Sequence, residues 1–143
     1  MIFTMRPRLT LLTLLLAIAA LLTGSGPARA SRVYQYKPDE YVTISGGRSP
    51  NGQYEIKAHG EGDVGYDNFH LYLVDARTGR KIGPLEEVEV SVDSAAEAFD
   101  AVWSADSRSV AITYRSDRRE WTTMHYRFAK GRAFLVKREK AKM

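Results

Sequence analysis

The sequence contains no cysteine. Small exported domains often depend on disulfides, so a domain without them must be stabilised by its hydrophobic core. The absence also excludes a cysteine nucleophile and a lipid-modified cysteine as a membrane anchor. We therefore expect a protein that folds through core packing and carries no thiol chemistry.

The chain also lacks the short motifs that mark common catalytic sites. No Gly-x-Ser-x-Gly run is present to expose a serine nucleophile. Gly46 and Gly47 are not followed by the Lys-Ser or Lys-Thr of a phosphate-binding loop. Carboxylates are plentiful, but glycoside hydrolysis needs two of them held facing each other in a cleft. The sequence favours a protein without catalysis and leaves a hydrolase with an unsignalled carboxylate site as an alternative.

A sustained helical period is missing from the chain after its first thirty residues. Residues 94–98 alone have a helix-like composition, enough for one turn. Apolar residues instead alternate with polar ones in at least five runs, which is typical of half-buried strands. The fold class that we predict is all-β. The predicted core residues are Tyr54, Ile56, Leu71, Leu73, Trp103, Val110, Ile112 and Phe128.

The first thirty residues have the three parts of a secretory signal peptide. Arg6 and Arg8 precede an apolar run over residues 9–22, and Ala28 and Ala30 place small residues two apart before a cleavage site. The apolar run is shorter than the ~20 residues that a membrane-spanning helix needs. We expect cleavage after Ala30, one domain over residues 31–143, no stable membrane insertion afterwards, and a periplasmic or secreted protein.

Charge is balanced in the expected mature chain but divided along it. Residues 31–143 hold 18 basic and 17 acidic side chains, a net charge of +1, which removes the bulk-charge argument for a nucleic-acid partner. Residues 31–107 hold 7 basic and 14 acidic side chains, whereas residues 108–143 hold 11 basic and 3 acidic ones. We expect these opposite charges to pair within one chain, which predicts a monomer.

An internal repeat organises the predicted strands. Residues 49–54, Ser-Pro-Asn-Gly-Gln-Tyr, and residues 103–108, Trp-Ser-Ala-Asp-Ser-Arg, each start a unit of turn and strand, with serines 55 positions apart. The units cover about residues 41–92 and 99–138, and each supplies about four strands. Repeats of four strands are typical of β-propeller blades.

Three segments resemble the blades of TolB-type, WD40-like β-propeller proteins of bacterial periplasms. They are residues 49–52, residues 99–106 and residues 73–79, the last with the sequence Leu-Val-Asp-Ala-Arg-Thr-Gly. The first turn has Asn51 where those blades have Asp, and the second turn lacks both Pro and Gly. A closed propeller needs at least four blades. Two units therefore predict antiparallel sheets in a sandwich-like domain, or a partial propeller that several chains complete.

His59 and His70 flank a loop, residues 60–68, that contains glycines and acids. Imidazole and carboxylate groups are suitable ligands for zinc, copper or nickel, so the candidate metal ligands are His59, Glu61, Asp63 and His70. None of the spacings is diagnostic of a metal site. The competing interpretation, which we favour, is a mobile recognition loop in a protein without a cofactor.

A basic and aromatic segment contains the candidate partner-binding residues Arg115, Arg118, Arg119 and Trp121. In an exported protein such a segment suits a cell-wall component or an acidic protein surface better than nucleic acid. The competing interpretation, which we favour, is a solvated hairpin tip between two strands. The function that we predict is an exported, non-catalytic β-sheet binding or structural module of the bacterial cell envelope. The second alternative, besides the hydrolase, is a periplasmic metal-binding protein that uses the His59–His70 loop.

Overall fold

A computed structural model describes residues 30–85, 88 and 91–143. The expected signal peptide, except Ala30, and residues 86–87 and 89–90 lie outside these described residues. Residues 31–143 form one compact unit. Within the described ranges no helix is long and apolar enough to cross a membrane.

Eight β-strands account for the regular structure of the described residues. They are β1 (Val42–Arg48), β2 (Tyr54–Glu61), β3 (Asp67–Asp75), β4 (Lys81–Leu85), β5 (Asp100–Trp103), β6 (Ser109–Asp117), β7 (Glu120–Ala129) and β8 (Arg132–Lys142). One turn of 3₁₀ helix, Ala96–Ala98, lies before β5. The all-β prediction is confirmed, and the helix-like composition of residues 94–98 produces a single turn.

The eight strands form one curled sheet, a half-barrel, in the order β4-β3-β2-β1-β5-β6-β7-β8. Strands β1 to β4 and strands β5 to β8 are two four-stranded antiparallel units, each with its strands in chain order. The units meet where β1 and β5 run parallel, with Ser45 opposite Asp100. The predicted pair of four-stranded units is present, and their first strands join them.

The first two strands of each unit are joined by the same hydrogen-bonded turn. In the first turn, Ser49 Oγ donates to Asn51 Oδ1 at 2.7 Å and accepts from the amide of Tyr54 at 3.0 Å. In the second, Ser104 Oγ donates to Asp106 Oδ1 at 2.6 Å and accepts from the amide five residues later at 3.0 Å. A serine followed two residues later by Asn or Asp therefore closes each turn, which explains why the repeat is visible in the sequence.

The concave face of the sheet holds the core. Five of the eight predicted core residues are fully buried: Ile56, Leu71, Leu73, Val110 and Ile112. Tyr54, Trp103 and Phe128 are only partly buried, because they pack as a stack at the rim of the core. Phe99, which was not predicted, is fully buried between the rings of Phe69 and Tyr114.

Candidate functional site

Arg115 is buried rather than exposed at the tip of the β6–β7 hairpin. Its guanidinium holds the carboxylate of Asp93 with two bonds, Nη2 to Oδ1 at 2.7 Å and Nε to Oδ2 at 3.1 Å. The backbone amide of Arg32 also donates to Asp93 Oδ1, at 2.7 Å. The hydrogen bond with Asp93 raises the pKa of Arg115 above its ordinary value, as expected of a buried charge-assisted pair.

Burial separates Arg115 from the exposed residues of the predicted partner-binding segment. The pairing of β6 with β7 shifts register between Arg115 and Asp117, and at this irregularity the neighbours Tyr114 and Arg115 are both buried. Sequence alternation cannot reveal such a shift. Among the described residues, Arg115 and Asp93 also form the salt bridge that joins the mainly acidic residues 31–107 to the mainly basic residues 108–143.

The other three residues of the predicted basic segment lie at the hairpin tip or directly after it. Strand β6 ends at Asp117 and β7 begins at Glu120, so Arg118 and Arg119 form the tip and are exposed. Trp121 is partly buried at the start of β7. The tip is therefore a small basic surface of two arginines, and it lacks the third arginine that the sequence predicted there.

His59 and His70 lie directly opposite each other on β2 and β3. The two candidate histidines therefore occupy paired positions of one hairpin. The His59 ring is buried, stacks on Tyr41 with ring centroids 4.4 Å apart, and places Nδ1 2.6 Å from the carbonyl oxygen of Glu40. Because a carbonyl only accepts, Nδ1 of His59 carries the proton.

The two acidic candidate ligands do not complete a metal site with these histidines. Glu61 and Asp63 are exposed, and Glu61 accepts a hydrogen bond from the Asn68 side chain at 3.2 Å. In the part of the chain that the structure describes, no three His, Asp or Glu side chains gather into a set able to hold a metal ion. The structure thus brings together His59 and His70 but not all four candidates.

A groove lies between the two end strands of the sheet. Strands β4 and β8 are the first and last strands in the sheet order, and the curl of the sheet brings them into contact. Between them lies a cavity of about 330 Å³. Its lining, which we call the β4–β8 groove, includes the apolar residues Leu73, Ile82, Pro84, Leu85, Ala133 and Phe134 together with Tyr126 and Arg132. A groove of this size can accept side chains of another molecule.

The exposed strand β8 forms one wall of this groove. It has 11 residues, and Phe134 and Val136 are 47% and 61% exposed. Leu135 pairs with Tyr126 and Lys137 with His125, so Val136 is an extra residue at a β-bulge. Natural edge strands rarely present large apolar side chains, because such edges attract other chains.

The second half of β8 is strongly basic. It carries Lys137, Arg138, Lys140 and Lys142, with Glu139 as its only acidic residue. Glu139 Oε1 lies 2.6 Å from Lys137 Nζ, and Glu139 Oε2 lies 3.0 Å from His125 Nε2. The hydrogen bond with Lys137, and to a smaller extent the one with His125, holds the pKa of Glu139 below its ordinary value. The strand therefore combines an apolar half beside the groove with a basic half beyond it.

The groove and the long edge were not predicted from the sequence. The alternation indicated a last strand over residues 133–136 only, since residues 137–142, Lys-Arg-Glu-Lys-Ala-Lys, have no apolar period. The pairing of β8 with β7 extends this strand to Lys142. Comparison with family models, with curated proteins and with solved structures finds no match to this chain.

Proposed function

We propose that this protein is an exported, non-catalytic β-sheet module that binds a protein component of the bacterial cell envelope. The β4–β8 groove and the adjoining edge of β8 are the binding surface. The observation that carries the proposal is the groove between the two ends of the sheet, with Phe134 exposed in its lining. A partner that covers Phe134 and Val136 removes apolar surface from water, which favours binding by about 25 cal/mol for each Å² buried.

Export is supported by the sequence of the first thirty residues, with their basic start, short apolar run and small residues before Ser31. Contacts of the β-domain begin soon after the proposed cleavage point. The backbone amide of Arg32 donates to Asp93, and its carbonyl accepts from the amides of Ser94 and Ala95. The mature chain that we propose would therefore keep these hydrogen bonds intact.

A periplasmic binding role also agrees with the resemblance of the two turns to TolB-type, WD40-like blades. Ser49 and Asn51 in the first turn, and Ser104 and Asp106 in the second, make equivalent hydrogen bonds. We propose that the two units are related to such blades and serve as a scaffold for the groove. The scaffold holds the groove without supplying chemistry of its own.

Site-specific crosslinking tests the binding surface. A photo-crosslinking residue is placed at Phe134, and in a control variant at Val33, which has a similar exposure of 45% and lies before β1. We expect Phe134 to crosslink to a periplasmic protein and Val33 to give no such product. The partner, once identified by mass spectrometry, is purified and titrated against the native protein and Phe134→Ser.

Two outcomes would contradict the proposal. The binding surface is wrong if the purified partner binds Phe134→Ser as tightly as it binds the native protein. Export is wrong if the intact mass of the protein isolated from cells still includes residues 1–30. The second measurement needs no partner, so it separates a failure of localisation from a failure of the groove.

A further inference from the structure

We infer that the occupant of the β4–β8 groove is an extended acidic polypeptide segment, which adds as a new strand to the edge of β8. This inference rests on the proposed function and names the chemistry of its partner. Among the described residues β8 pairs with β7 alone, along ten residue pairs. Its other side therefore offers a row of backbone donors and acceptors, which is the surface that strand addition uses.

The opposite wall of the groove does not compete for this strand. Pro84 on β4 has no backbone N–H, and the pairing of β4 with β3 is itself irregular near Gly83. A proline on an edge strand interrupts any ladder that would form there. An incoming segment is therefore hydrogen-bonded to β8 and only packed against β4.

The charge of β8 selects an acidic segment. Counted over the whole strand, β8 has five basic side chains, those of Arg132, Lys137, Arg138, Lys140 and Lys142, and one acidic side chain, that of Glu139. Opposite charges on neighbouring strands attract, and like charges directly opposite repel. The same argument disfavours a second copy of this chain paired through β8, because the two basic strands would face each other.

The order of apolar and basic residues along β8 also determines the order of apolar and acidic residues along the partner segment. All strand pairs of the sheet except β1 with β5 are antiparallel, and we assign the same direction to the added strand. Its first residues then lie opposite Lys142 and Lys140, and its last residues lie beside Phe134 and the groove. The segment therefore has acidic residues first and apolar residues last.

A polypeptide explains this surface better than an anionic membrane does. A lipid headgroup would be attracted by the lysines of β8 but would leave its backbone groups without strand partners. It would also leave unexplained the groove beside Phe134, which lies between two strands. Anionic vesicles consequently serve as a competing outcome in the test.

Binding of synthetic peptides to the native protein tests this inference by fluorescence anisotropy. The probe is a strand-length peptide with alternating Glu and Val in its first half and apolar residues in its second half. One control peptide has Lys in place of Glu, and another is the Glu peptide with alternate backbone amides methylated. A third control reverses the order of the two halves. We expect each control to bind at least about tenfold more weakly than the probe.

Variants of the protein, rather than of the peptide, also test whether the basic side chains of β8 select an acidic segment. Lys140→Glu together with Lys142→Glu should reverse the preference between the Glu and Lys peptides. Arg77→Glu, a charge reversal at an exposed position in the β3–β4 connection, should leave the preference unchanged. Circular dichroism checks that each variant keeps its strands. If a variant does not fold, the binding of the peptide series to the native protein still tests whether the partner segment is acidic.

The results separate this inference from the proposed function. Equal affinity for the Glu and Lys peptides, or stronger binding to phosphatidylglycerol vesicles than to the probe, would overturn the acidic segment. Unchanged binding of the methylated peptide would overturn strand addition. In each of these cases crosslinking of a partner at Phe134 can still succeed, so the groove would remain a binding surface with a different occupant.

Discussion

Ser107 Oγ accepts a hydrogen bond from the backbone amide of Asn51 at 3.0 Å, so the turn between β5 and β6 is bonded to the turn between β1 and β2. Ser107 is buried and has φ 59°, and its equivalent in the first turn is Gly52 with φ 68°. A residue other than glycine is strained at such a φ. The serine that breaks the sequence repeat thus supplies a contact between the units.

Two substitutions of Ser107 should differ in their cost. Ser107→Ala removes the hydrogen bond and keeps the strained φ, so we expect the free energy of unfolding to fall by about 1–2 kcal/mol. Ser107→Gly also removes the bond but relieves the strain, so its loss should be smaller by about 1 kcal/mol. Urea denaturation of the three proteins measures both differences. A Ser107→Ala variant as stable as the native protein would show that the bond contributes nothing.

Acidification should weaken the second turn more than the first. The Asp106 carboxylate accepts hydrogen bonds from the Ser104 hydroxyl and from the backbone amide of Arg108. These bonds hold the pKa of Asp106 below its ordinary value of 3.8, and the bond from Ser104 has the larger effect. A carboxyl whose pKa is lowered by folding stabilises the protein above its ordinary pKa, and this stability is lost as the pH falls through the folded value. Asn51, the equivalent residue in the first turn, does not titrate.

The Asp106→Asn variant isolates this effect. Asparagine offers the same acceptor without a titrating group, so the variant should lose less stability than the native protein between about pH 6 and about pH 2.5. Urea midpoints at the two pH values give the comparison. An identical loss in both proteins would mean that Asp106 has the same pKa in the folded and unfolded states.

Loss of the buried arginine should be far more costly than loss of an exposed one. Arg115→Ala leaves the carboxylate of Asp93 buried without its guanidinium, and we expect the free energy of unfolding to fall by about 3–5 kcal/mol. Arg118→Ala removes the same charge from the exposed hairpin tip and should change stability by less than about 0.5 kcal/mol. Thermal or chemical denaturation distinguishes them. Similar losses for the two variants would contradict the burial of Arg115.

Aromatic substitutions should separate the centre of the core from its rim. Phe99→Ala leaves a cavity between Phe69 and Tyr114 and should destabilise the protein by about 3–5 kcal/mol. Trp103 is only partly buried, and its ring donates one hydrogen bond to the carbonyl oxygen of Gly46 at 3.0 Å. Trp103→Ala should therefore cost less, about 2 kcal/mol. Chemical denaturation checks the order, and the reverse order would place the tryptophan at the centre.

The mature protein should be a monomer whose mass does not depend on salt. The basic side chains of β8 repel the same strand of a second copy, and the salt bridge between Asp93 and Arg115 lies within one chain. Light scattering at low salt and at about 1 M salt, where the Debye length is about 3 Å, tests this. A dimer or ring that dissociates at high salt would support a propeller shared between chains.

The sequence by itself determined the local structure of this protein. Alternation of apolar and polar residues is a property of each strand alone, and it placed Ile56, Val110 and Ile112 correctly in the core. Turn chemistry is equally local, since a serine and an Asn or Asp two positions later close each turn through their own side chains. The all-β class and the two units of four strands followed from these signals.

Only the tertiary structure decided how the units meet and what surface they leave. The parallel pairing of β1 with β5 joins residues far apart in the chain, and no local pattern encodes it. Arg115 turns inward because the β6–β7 register shifts beside it and Asp93 lies within reach. Strand β8 extends to Lys142 because β7 continues beside it. The groove exists because the curl of the whole sheet brings its two end strands together, and that curl is a sum over all eight strands.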